Sequence, residues 1–195
     1  KVAQFAGIAA SDTNYAHGEV SLQGALTNMA QSFSGSNNYP LFTEDGAFGS
    51  RSQNGSDAAS PRYIFTMLRD GARDMIDITD VLHYLEEENS IVEPSYFVPA
   101  LPLVLLNGAN GIGTGFRSLL PCFRQQDIVE YVRYLNTPES HSKPPTMLPY
   151  YEGTYKNNGK TTDEGKNWVF RGTFEVKNKS TVVVTEIPIG ISIED

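Results

Sequence analysis

The chain has 195 residues, 39% of them hydrophobic and 11% aromatic, enough to bury a core in one large domain or two small ones. Its net charge of −8 excludes a polybasic nucleic-acid groove, and no window approaches the roughly 18 uninterrupted apolar residues of a membrane span. A lone cysteine, Cys122, excludes an internal disulfide and suits a reducing compartment; the scattered His17, His83 and His141, with no CxxC, exclude a local zinc motif.

The charge is uneven. Between Asp70 and Glu93 stand eight acids and one base, Arg73, and the remainder of the chain is close to neutral. This block reads as a solvated face, and an Asp74–Asp77 metal pair has little support within it. DNA contact through a few well-placed bases stays compatible with the composition.

In chain order, Val2, Phe5, Ala6 and Ala9 repeat at helical spacing, and "SDTNYAHG" ends that helix. From Glu19 a second stripe runs through Leu22, Ala25, Leu26, Met29, Ala30 and Phe33. Two short helices with an irregular turn resemble a helix-turn-helix. Residues 34–61 are rich in Gly, Ser, Asn and Asp, with short strands expected at Tyr39–Thr43 and Gly49–Arg51. Helix, turn, helix and glycine-rich ribbon is the order of a winged helix.

"YIFTMLRDGARDMI" either begins as a short strand or is helical throughout, and the helical reading, with Ile64, Met67 and Leu68 on one face, is preferred. Leu103–Leu106 reads as a buried strand or short core segment before a glycine-rich turn. "RQQDIVEYVRYLNTP" forms an amphipathic helix with Ile128, Val129, Val132 and Leu135 inward. After "KPPTMLP" the pattern alternates, giving antiparallel strands with a turn at Lys177–Ser180. The fold class is α+β. A domain boundary falls in the region 115–145 and is placed at 115/116, and both ends of the pattern read as cut from a longer protein.

The chemistry concentrates in "NGSDAASPRYIFTML" (Asn54–Leu68). A phenol has a pKa near 10 and needs help to attack at neutral pH. Arg62, next to Tyr63, offers a guanidinium for phosphate oxygens as their charge builds. Consecutive side chains rarely point the same way in regular structure, and Pro61 with its small neighbours supplies an irregular backbone. Taken alone, the pair also fits a surface Arg beside a helix-opening Tyr.

Six blocks change the balance. "KVAQFAG", "YAHGEVSLQGALTNMAQSFSGSNN", "GAFGSR", "DAASPRYIFTML", "VPALPLVLLNGANGIGTGF" and "TEIPIG" resemble, in order, the DNA breakage-reunion region of type IIA topoisomerases, nearest to eukaryotic and viral forms. The resemblance implies a winged-helix domain over residues 1–115 and the beginning of a tower domain over 116–195. It implies that Tyr63 joins a DNA 5′-phosphate and frees a 3′-hydroxyl, that Arg62 stabilises the pentavalent phosphorus, and that His17 lies near the scissile phosphate. Ile112, between glycines in "NGANGIGTGF", matches the residue that wedges between base steps and bends the duplex. Lys1, Arg51, the polar run Ser36, Asn37 and Asn38, and Gln31 are candidate DNA contacts of the kind that position a duplex without reading its sequence.

Two positions depart from the pattern. Ala16 stands where most relatives have a first histidine before His17, and Ser56 where eukaryotic relatives usually have a lysine. Both changes remove cations near DNA.

No acidic Toprim cluster and no ATPase block are visible. The resemblance therefore implies that Mg²⁺ and ATP are bound by other parts of the enzyme, and that this chain carries the tyrosine half of the active site. The implied partners are double-stranded DNA, the Toprim and ATPase regions, and a second copy in a homodimer. The implied location is the nucleus for a eukaryotic source, or host cytoplasm or virion for a phage or viral one. The rival readings are a non-catalytic winged-helix DNA-binding module and a structural fragment that assembles with other chains.

Overall fold

The computed structural model of the chain describes residues 1–76, 82–87, 89–137, 139, 143–153, 155, 160–162 and 167–195. His141, Asp77, Asp80 and Glu88 lie outside the described residues, and with them the Asp74–Asp77 pair.

Helices α1 (Val2–Asp12) and α2 (Glu19–Ala30) pack on each other through positions four apart in each: Val2 with Ala6, and Leu26 with Ala30. The alanines let the two backbones approach, and both are fully buried. Phe48 and Ile64 complete this cluster, with Leu22, Met29, Phe42 and Ala59 around it. Expected burial of Ala25 is not found; it is exposed, and Phe33 lies beyond the helix end. The helix stops at Gln31 because its ψ swings to 131°. Asn37 then donates its Nδ2 to the carbonyls of Asn28 (2.7 Å) and Gln31 (2.9 Å), satisfying acceptors that the helix end leaves open.

The segment after Tyr63 is extended rather than helical. Phe65 pairs with Asp45 and Leu68 with Phe42, both antiparallel, so residues 42–45 and 65–68 form a two-stranded ribbon. Alternation explains the reversal: Ile64 points inward while Tyr63 and Phe65 point outward, the period of a strand. Helix α3 is described over Ala72–Ile76. Gly49–Arg51 forms no strand; its backbone enters a turn.

Strands β1 (Tyr84–Glu87) and β2 (Ser90–Pro94) make a hairpin in the acidic stretch, where Asp70, Asp74 and Glu86 are exposed. Leu103–Leu106 is not a strand but one turn of helix, α4, of which Leu106 is buried. The glycine-rich turn that follows is a regular hairpin, β3 (Ala109–Gly113) with β4 (Phe116–Leu120). The 115/116 division falls on its turn, so both sides of that line belong to one element.

Helix α5 (Gln125–Asn136) docks through Ile128 and Val132 onto a second core with Met75, Leu106 and Phe123. Leu135, expected inward, is exposed. Strands β5 (Lys160–Thr162) and β6 (Asn167–Val169) pair antiparallel, as do β7 (Thr173–Asn178) and β8 (Thr181–Glu186). A third cluster of Cys122, Tyr151 and Tyr155, with Phe170 and Ile189, anchors this region. The described architecture is α+β, with helices and four separate two-stranded antiparallel sheets among the described residues.

Candidate active site and nucleic-acid interface

The backbone at Tyr63 is held from two sides. Its own N–H donates to Ser60 (2.8 Å), closing a turn over Pro61 and Arg62. The first amides of α1 do the rest: Val2 donates to Ile64 (3.1 Å) and Ala3 to Pro61 (3.1 Å). A helix start leaves such N–H groups without partners, and here the carbonyls flanking Arg62–Tyr63 take them.

Burial sorts the neighbours sharply. Ile64 is 1% exposed and Tyr63 is 71% exposed. Gly46 makes the inward position possible, since its backbone at φ +117° would put any Cβ 2.8 Å from Ile64 Cγ2. Arg62 is exposed as well, with its Cζ 6.0 Å from the centroid of the Tyr63 ring. Phenol and guanidinium thus share one open surface. Lys1 lies beside them, its Nζ 6.0 Å from the ring of Phe65.

His17 is exposed in the turn between α1 and α2, and its ring stands edge-on to Tyr15 at 5.5 Å. The bonds to Pro61 and Ile64 are at the other end of α1, and 11 residues of helix span about 16 Å. His17 thus follows the C-terminal end of α1, and the backbone around Tyr63 is tied to its N-terminal end.

Ile112 is 87% exposed near the tip of the β3–β4 hairpin and belongs to none of the buried clusters. Gly111 and Gly113 flank it and offer no side chains to shield it.

The remaining candidates are used inside the molecule. Gln31 is 8% exposed and donates its Nε2 to Phe48 (2.8 Å) and Gly55 (3.4 Å), bracing the loop that precedes Tyr63. That loop closes tightly: a Cβ on Gly49, at φ +105°, would meet the Gly55 Cα at 2.7 Å. Asp57 accepts the Ser50 N–H (2.8 Å), and hydrogen bonding from Ser50 lowers its pKa.

Arg51 donates to the carbonyls of Ile191 (2.9 Å), Ile187 (2.8 Å) and Pro188 (2.6 Å), and burial lowers its pKa. Ile193 N–H to Ser52 (2.7 Å) and Gln53 to Glu194 (2.9 Å) extend the same strap. A cleft of about 850 Å³ lies along it, lined by Arg51, Tyr155, Glu186 and Ile193 among others.

Ser36 donates to Phe33 (2.6 Å), and Asn37 terminates α2. Asn38 joins three segments, donating to Phe123 and Tyr150 (both 3.0 Å) and accepting from Glu152 N–H (2.9 Å). Each of these polar groups supports a loop or a junction instead of facing outward freely. Nothing in the sequence pointed to residues 187–195 as a brace for the tyrosine loop.

Among the described residues no three His, Cys, Asp or Glu side chains converge, and the residues present do not fit a Mg²⁺ site.

The family model for DNA gyrase/topoisomerase IV, in its A-type subunit, matches residues 1–195. The chain belongs to this family. It is 42% identical over 193 residues to DNA topoisomerase 2-alpha of Rattus norvegicus and 44% identical over 193 residues to DNA topoisomerase 2-beta of Gallus gallus. It is also 39% identical to DNA topoisomerase 2, mitochondrial, of Dictyostelium discoideum. Each comparison covers 97% of this chain but only 11–14% of the relative, so the chain spans a small part of the curated relatives it matches. A crystal structure of the Plasmodium falciparum topoisomerase II DNA-binding, cleavage and re-ligation domain matches with a TM-score of 0.88 and 36% identity. It covers 100% of this chain and 26% of that one. The likeness runs the length of the chain, in keeping with the six sequence blocks.

Proposed function

We propose that this chain supplies the tyrosine half of a type II topoisomerase cleavage site. The observation that carries the reading is the outward Tyr63 beside an outward Arg62, on a backbone tied to the buried Ile64. The Tyr63 phenolic oxygen attacks a backbone phosphorus of double-stranded DNA. An O–P bond forms to the 5′-phosphate, the bond from phosphorus to the 3′-oxygen breaks, and the phenolic proton passes to solvent or a base. The 3′-oxygen leaves as a hydroxyl after taking up a proton. One phosphodiester replaces another, so resealing by the 3′-hydroxyl is the same step reversed.

Arg62 contributes a fixed positive charge where phosphate oxygens gain charge in the transition state. His17, in the turn after α1, assists by a charge-assisted contact near the scissile phosphate. Lys1 contributes a phosphate contact beside the tyrosine, and Ile112 wedges between base steps. The residues up to the β3–β4 hairpin form the winged-helix part and those after it begin a tower-type region. Mg²⁺ and ATP belong to Toprim and ATPase parts of the enzyme, and two copies acting together give a double-strand break for duplex passage. The compartment is one that holds duplex DNA, the nucleus in a eukaryotic cell or the host cytoplasm for a viral chain.

A non-catalytic winged-helix module explains the two helices and the ribbon but gives Arg62 and Tyr63 no task, and membership of the topoisomerase family speaks against it. Denaturing the intact enzyme on end-labelled duplex DNA tests the proposal. Covalent protein–DNA adduct is expected for the wild type and none for Tyr63→Phe, with duplex binding unchanged. Adduct formed by Tyr63→Phe would overturn it.

A further inference from the structure

The β3–β4 hairpin carries a cation that the sequence did not single out. The register sets Ile112 directly across from Arg117 and Asn110 across from Leu119. Directly opposed residues share a face of a sheet, as do residues two apart on one strand. Asn110, Ile112, Arg117 and Leu119 therefore project from one side, and Gly111, Gly113, Phe116 and Ser118 from the other. Arg117 is exposed, and its Nε donates to Asn110 Oδ1 at 3.3 Å, a diagonal contact that steadies the guanidinium on the Ile112 side. This bond engages Nε, so the two terminal nitrogens retain donors for a ligand.

We propose that Arg117 is a DNA-phosphate contact that flanks the wedge. This rests on the reading of Ile112 as the residue inserted into the duplex. Opposed Cβ atoms on a hairpin are about 5 Å apart, and the minor groove is about 6 Å wide with phosphates along both walls. An apolar side chain that enters a base step from the groove places its cross-strand neighbour at the groove wall, where the charge is anionic. The pairing is also energetically apt. Unstacking a step costs a few kcal/mol, and a charge-assisted contact available only when the hairpin is seated offsets part of that. In a chain whose net charge is −8, one oriented arginine at the point of insertion gives the hairpin a local attraction that the overall field lacks.

The test measures duplex affinity of the intact protein against salt concentration, with bending followed by fluorescence transfer between labelled duplex ends. Loss of one phosphate contact lowers the slope of log K against log salt by about 0.9. Arg117→Ala is expected to show that loss and Arg117→Lys to retain the wild-type slope. Neutral methylphosphonates at the bent step should abolish the difference between wild type and Arg117→Ala. A wild-type slope in Arg117→Ala overturns the contact, even if Ile112→Ala still loses bending. A reduced slope in Arg117→Ala with full bending in Ile112→Ala keeps the contact and overturns the wedge instead.

Discussion

The Val2 amide donates to the Ile64 carbonyl at 3.1 Å, so the first turn of α1 and the residue after Tyr63 are one structural unit. The link gives the tyrosine a rigid support without covering it. Ile64 is the part of that support that lies in the core, and Tyr63 is the part that meets solvent.

Ile64 is fully buried among α1, α2 and Phe48, so Ile64→Ala should destabilise the fold by about 2–5 kcal/mol and Ile64→Val by about 0.5–1.5 kcal/mol. Urea denaturation of both variants measures this. Equal, negligible losses would show that the tyrosine loop does not depend on the core beneath it.

Arg51 holds three carbonyls of residues 187–191, and Arg51→Ala should cost about 1–3 kcal/mol by leaving them without a donor. Adduct formation should fall with it as the loop loosens, while the salt slope of DNA binding stays as in the wild type. A slope reduced by about 0.9 would instead restore Arg51 to the phosphate contacts that its sequence position suggested.

Ile112 makes up the exposed end of the hairpin and no part of a buried cluster. Ile112→Ala should therefore leave the thermal midpoint within about 2 °C of wild type, as surface substitutions do. Duplex bending should drop markedly at unchanged salt slope. Fluorescence transfer across a doubly labelled duplex reads the bend, and an unaltered bend refutes the wedge.

Burial pushes the Cys122 thiol up to about 12 from an ordinary value of 9.0, and burial raises Tyr151 beside it as well. The folded state therefore holds these protons more tightly than the unfolded chain. That stability is fully present below about pH 9 and is lost as pH rises toward 12, at roughly 1.4 kcal/mol per pH unit for one such group. Thermal midpoints from pH 7 to 11 should fall above pH 9, and less steeply in Cys122→Ala. Parallel curves for the two proteins would remove the thiol as a cause.

Sequence alone determined the elements whose signals are local. The stripes of Val2–Ala6 and Leu26–Ala30, the helix around Ile128 and the alternating strands on either side of Lys179 all follow from periodicity, which short-range backbone geometry enforces. The six ordered blocks located Tyr63, Arg62 and Ile112 by likeness to a family. Tertiary structure decided what those signals could not. "YIFTML" has apolar residues at spacings that suit a helix, yet residues 65–68 pair with residues 42–45, and Tyr63 stands outward in the turn that precedes them. Arg51, Gln31 and Asn38 read as free polar side chains, and each is committed to carbonyls distant in the chain, Arg51 across more than 130 residues. A donor's partner depends on which backbone the fold brings near it. That information resides in no short stretch of residues.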